Sequence, residues 1–143
     1  MTVEQTLGIL QSNRSKVSRS EPETVVERRV MLCTGYTAGK ESTGKTPSSP
    51  TYGQVAISTP THKVYAKEWY TIAAPYEFAI GTEVYIPYFK DKPNHGVFVV
   101  EDRGGGITEG RLDIYFGDPV EDRTAVKRAL EFGKRELEVL IKK

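Results

Sequence analysis

The stretch "VFVVEDRGGGITEGRLDIYFGD", residues 97 to 118, decides the fold. Its first four residues are β-branched or aromatic and read as a strand that delivers Glu101 and Asp102 to its end. Gly104, Gly105 and Gly106 follow, and a glycine run lets the backbone make positive-φ turns and leaves room for a ligand to approach. The next strand alternates, with Leu112, Ile114 and Phe116 on one face and Arg111, Asp113 and Tyr115 on the other. Asp113 is therefore aimed away from the core-facing set.

Working outward, the same signals recur. "TVVERRVMLCTGYTA", "YGQVAIS", "HKVYAKEWYTIAA", "GTEVYIPYF" and "RELEVLIKK" are short, rich in Val, Ile, Tyr or Phe, and bounded by turn-forming residues. One helix interrupts them between Asp118 and Phe132, with Val120, Val126, Ala129 and Leu130 on one face, Pro119 in the first turn and Gly133 as the stop. Six or seven closely spaced strands with one late helix predict a mainly β domain, a small closed or nearly closed barrel. Val3, Leu7 and Leu10 suggest a short N-terminal helix, followed by a polar arm. Residues 1–23 thus read as helix and arm, and residues 24–143 as the domain.

With 20 basic and 19 acidic residues in 143, no bulk field draws the chain to nucleic acid or an anionic membrane. A partner is expected to be recognised by a site. Cys33 alone cannot form an intramolecular disulfide, and with only His62 and His95 besides, no zinc-ligand spacing appears; no metal or cofactor is expected. No apolar run reaches the about 20 residues of a membrane span, and no signal peptide is visible. Cytoplasmic synthesis with release by another route, or a trimmed sequence, is the expectation.

Asp113 alone in an alternating strand reads as part of a solvated polar face. Aspartate is nevertheless depleted in strand interiors, and Asp102 beside the glycine turn makes a carboxyl pair in one cleft. Two such groups move apart in pKa, so that one keeps its proton and can act as an acid, which is the equipment of glycosidic bond cleavage. "GKESTGKT", Gly39 to Thr46, spells a phosphate loop, but the prolines of "TPSSPTYGQ" exclude the helix such a loop must open. It reads as a surface loop. Trp69, Tyr70, Tyr76 and Phe78 offer flat faces for a sugar, although ordinary packing explains each of them better. Cys33 reads as a buried small hydrophobe, and both histidines as loop or turn residues.

"VVEDRGGGITEGRLDIYF" resembles the signature of the 3D domain, named for three aspartates. "CTGYTAGKESTGKTP", "IGTEVYIP" and "FGKRELEVLIKK" resemble its opening strand and loop, a middle strand and its closing strand, in the family's order, over residues 31 to 142. The resemblance implies a six-stranded double-psi β-barrel related to the type A membrane-bound lytic transglycosylases. It further implies cleavage of the MurNAc–GlcNAc β-1,4 bond of peptidoglycan with closure of a 1,6-anhydro ring, as in a phage lysin. Carried over by position, Asp113 is the acid/base and Asp102 its companion, which sets its proton affinity and holds substrate. Lys45, Thr43 and Glu41, with Gly104 and Gly105, are implied to line the substrate cleft.

Two positions depart from the family pattern. Ala74 stands where the first aspartate is expected, and Thr108 replaces a lysine. Glu41, Glu77 and Glu109 are candidate substitutes. The competing expectations are a non-catalytic glycan-binding barrel and a structural assembly part docked through the N-terminal arm.

Overall fold

The structure is a computed structural model that describes residues 26–104 and 109–143. The expected N-terminal helix and arm, and Gly105 and Thr108, lie outside the described residues.

Among the described residues six strands form one sheet: β1 (Val26–Tyr36), β2 (Thr71–Ala73), β3 (Glu83–Tyr85), β4 (Val97–Asp102), β5 (Arg111–Tyr115) and β6 (Arg135–Lys142). Their hydrogen-bonding order is β1-β5-β2-β4-β3-β6, and β6 returns to β1, so each strand has two neighbours. Among the described residues every strand is thus paired on both sides over part of its length. β1 is long enough to serve two partners. Its run from Val26 to Cys33 pairs antiparallel with β6, while Leu32 to Tyr36 pairs parallel with β5. β2 is only three residues, all buried, and lies between β5 and β4.

The alternation read in the sequence points the expected residues inward. Leu112 and Ile114 of β5, Phe98 and Val100 of β4, Cys33 of β1 and Val139 and Ile141 of β6 are buried in one core. Phe89, Phe116 and Phe132 extend that core, their rings 5.4–5.5 Å apart.

Among the described residues two α-helices accompany the sheet, α1 (Lys40–Thr43) and α2 (Ala125–Phe132). α1 is a single turn in the expected surface loop, ended by Gly44 at φ 74°. It precedes Lys45, and turns follow, so the phosphate-loop spelling lacks its helix. α2 begins later than expected. The Asp118 carboxyl and carbonyl take the amides of Val120, Glu121 and Asp122, closing a separate turn that strands Pro119 outside the helix. The buried face is Ala125, Ala129 and Phe132, whereas Val120 and Leu130 are exposed.

Other expectations shrink. "YGQVAIS" yields only the isolated bridge Gln54↔Tyr65, because Gly53 at φ 77° turns the chain. In "HKVYAKEWYTIAA" only Thr71–Ala73 is strand, since Trp69 at φ 59° interrupts the extended backbone. Pro87 converts the end of "GTEVYIPYF" into a 3₁₀ turn, Pro87–Phe89.

α2 reaches the sheet over Gly35. A Cβ at that position would stand 2.6 Å from the Phe116 ring and 3.3 Å from the Ala129 backbone. Phe116 is itself held by Trp69 and Phe132 and cannot swing away. Gly35→Ala is therefore expected to destabilise the fold by about 1–3 kcal/mol, read from the urea midpoint at constant slope; an unchanged midpoint would show that the helix gives way freely.

Candidate active site

β2 carries the geometry of the site. On one side Ala73 is the register partner of Asp113 in β5; on the other, a shift between Ile72 and Ala73 makes it the partner of Asp102 in β4. The shift passes over Glu101, whose buried carboxyl takes the Thr71 hydroxyl at 2.7 Å. Asp102 and Asp113 therefore flank one alanine from the two neighbouring strands.

Donors fix both groups. Thr34 of β1, the register partner of Asp113, donates its hydroxyl to Asp113 Oδ1 at 2.9 Å, and the Arg111 guanidinium donates to that same hydroxyl at 3.3 Å. Asp102 accepts three bonds. The Ala56 and Arg103 amides reach Oδ1, each at 2.9 Å, and the Tyr36 hydroxyl reaches Oδ2 at 3.0 Å. Ala56 belongs to the long connection between α1 and β2, so that connection reaches Asp102.

The electrostatics separate roles. Burial pushes the Asp113 carboxyl above its ordinary range; Thr34 and Arg111 pull it back, and the neighbouring Asp102 adds a smaller upward push. The expected companion thus contributes, but burial leads. Tyr36 is raised as well, by burial first and then by Asp102, so it remains a phenol that donates. The Cys33 thiol is pushed up to about 12 by burial, as suits an inert core residue.

The other expected site residues are engaged locally. Lys45 Nζ donates to the Thr51 carbonyl at 3.2 Å, Thr43 Oγ1 to the carbonyls of Ala38 and Gly39, and Glu41 accepts from Thr37 and Ser42. None of these bonds reaches Asp102 or Asp113. Gly104 is exposed directly after Arg103. Of the candidate substitutes for the missing aspartate, Glu77 pairs with Arg29 at 3.2 Å. Ala74 is fully buried within the hydrophobic core. Trp69 and Phe78 pack against or within that core, while Tyr70 and Tyr76 are exposed beneath the cations of Lys67 and Arg103. His62 lies in an exposed loop, and His95 turns at φ 52°.

Thr34, Tyr36, Arg111 and Arg103 escaped the sequence reading. Thr34 and Tyr36 carried one usable signal: they alternate with Cys33 and Gly35, which puts them on the non-core face of β1. Arg103 ties the end of β4 to the turn after β2, donating to the carbonyls of Ala74, Pro75 and Phe78 at 3.0, 2.8 and 2.6 Å.

Residues 70–135 match the family model of the 3D domain. That family is associated with cell-wall lytic and peptidoglycan-related proteins. No curated protein matches the chain.

A buried acid with a raised pKa leaves a stability signature. The unfolded chain releases this proton near the ordinary 3.8, while the folded chain holds it to higher pH. The folded state then binds more protons, so the stabilisation is complete below about 3.8 and is lost as pH rises through the folded value. Asp113→Asn should accordingly gain stability relative to the unaltered protein between pH 3 and pH 7 in urea unfolding. A difference independent of pH would contradict the burial of this carboxyl.

Proposed function

We propose that this chain, with its 3D-domain match across residues 70–135, cleaves the MurNAc–GlcNAc β-1,4 bond of peptidoglycan as a lytic transglycosylase acting at the cell wall. The observation that carries the reading is the placement of Asp102 and Asp113 on either side of Ala73, with burial holding the proton of Asp113. The same reading makes residues 24–143 one domain and the closed sheet a double-psi barrel. Its two parallel pairings, β1 with β5 and β2 with β4, set among four antiparallel ones, support that topology.

Asp113 gives its proton to the glycosidic oxygen as the bond from C1 of the muramic sugar breaks. The C6 hydroxyl of that sugar then attacks C1, and its proton passes to the Asp113 carboxylate. The products are a 1,6-anhydro ring and a new 4-hydroxyl end, and the acid is restored without water being consumed. Thr34 keeps Asp113 Oδ1 oriented throughout. Asp102 Oδ2, which among the described residues accepts the Tyr36 hydroxyl alone, has a lone pair left for a sugar hydroxyl. Lys45, Thr43, Glu41, Gly104 and Gly105 would meet more distant parts of the glycan strand.

A non-catalytic glycan-binding barrel is the second reading, favoured by one observation: the position of the family's first aspartate is an alanine buried in the core. Product analysis separates the two. Cell walls incubated with the protein should release anhydro-muropeptides, identified by mass, and Asp113→Asn should slow release about 10²–10⁴-fold. Reducing-end sugars as sole products would make it a hydrolase; binding without turnover would leave the second reading.

A further inference from the structure

A cavity of about 480 Å³ opens at the end of β5 and involves neither Asp102 nor Asp113. Its size falls within the roughly 300–1,000 Å³ of ligand sites. Three tyrosines line it. Tyr52 and Tyr65 come from the connection between α1 and β2, and Tyr115 from the end of β5. Tyr115 stands two residues beyond Asp113 on the same strand face, a step of roughly 7 Å. The Tyr36 ring, whose hydroxyl holds Asp102, meets Tyr115 edge-on at 5.3 Å. Tyr115 therefore links the two: it lines the cavity and packs against the ring whose hydroxyl holds Asp102.

The polar lining decides what fits. Glu68 and Asp122 are both paired with Arg128, at 2.7 and 2.6 Å, and Asp118 accepts the Tyr52 hydroxyl at 2.7 Å. These carboxyls already have partners, so the cavity is no counter-ion cluster waiting for a cation. Their remaining lone pairs suit hydroxyl and amide donors. Together with exposed Glu121 they outnumber the lining cation Lys67, so the cavity disfavours an anion, and the phenol rings offer apolar faces to the C–H side of a sugar ring.

We infer that this cavity is a subsite for an uncharged, N-acetylated hexose of the glycan strand, one that rejects sugars carrying a free carboxylate. The inference rests on the proposed glycan-cleaving function but is read by binding alone. It assigns specificity to Tyr65 and Glu121, positions that the carboxyl chemistry does not use. Tyr65 is half exposed, so its truncation spares the core.

The experiment is calorimetric titration of the full chain with the tetramer of N-acetylglucosamine. Tyr65→Ala is expected to weaken binding about tenfold at an unchanged melting temperature. Glu121→Lys should leave that tetramer bound and raise affinity for an oligomer of glucuronate at least several-fold. Three results would overturn the inference: no binding of the neutral tetramer, equal binding by the Tyr65 variant, or binding of the cationic glucosamine tetramer more than tenfold tighter than its acetylated form. Anhydro-product release, assayed separately, keeps the two readings apart. Tyr65-dependent binding without turnover keeps the subsite and removes the enzyme, whereas turnover with Tyr65-independent binding does the reverse.

Discussion

The site depends on one irregularity, the point where the ladder between β2 and β4 passes from Ile72↔Val100 directly to Ala73↔Asp102. In a strand of period two, a shift of one residue turns every later side chain to the opposite face. Without the shift, Glu101 would stand beside Ala73 and Asp102 would turn away from Asp113. The skipped glutamate has its own satisfied place, since the buried Thr71 hydroxyl donates to it at 2.7 Å. Bulges beside functional sites commonly re-aim a side chain in this way. Here it turns an alternating strand end into one wall of a carboxyl pair.

The other wall is a balance of opposing effects on Asp113. Burial disfavours the charged form, and a fully isolated carboxyl would hold its proton too firmly to exchange it. A guanidinium bonded directly to it would have the opposite effect and strip the proton at any working pH. The structure takes an intermediate course. Arg111 donates to the Thr34 hydroxyl, which donates in turn to Asp113, so the cation acts through an intervening oxygen. The net displacement remains upward, with burial the largest cause.

What the sequence disclosed follows from what local chemistry controls. The strand at residues 97–102 was legible as a β-branched and aromatic run ended by charges, and that at 111–115 because it alternates cleanly, which also turned Asp113 off the core face. The closing strand was legible for the same reason. The connection from Lys45 to Tyr70 was not. Its Val, Ile and Tyr residues suggested strands, but the turn at Gly53 and the φ of 59° at Trp69 are set by packing. Trp69 lies against Phe89 and Phe116, ring contacts that form only once the sheet has closed. Thr34 and Tyr36 were equally hidden. Their partnership with the aspartates requires β1 to run parallel beside β5, a pairing between residues 79 positions apart that no local pattern encodes.

The alanine at position 74 bears on how much chemistry the pair can do alone. Its side chain lies in the apolar core with Ile72 and Phe78, not between the two aspartates. An ionised carboxyl introduced there would need a buried partner, and the cation that reaches its backbone is already committed: Arg103 spends its fork on the carbonyls of Ala74, Pro75 and Phe78. In this chain that guanidinium braces the backbone that sets Asp102, whose Oδ1 also receives the Arg103 amide. The raised proton affinity of Asp113 owes most to burial and least to its acidic neighbour. The upward displacement of Asp113 thus arises without a third acid, and the alanine at 74 contributes core packing in place of a charge.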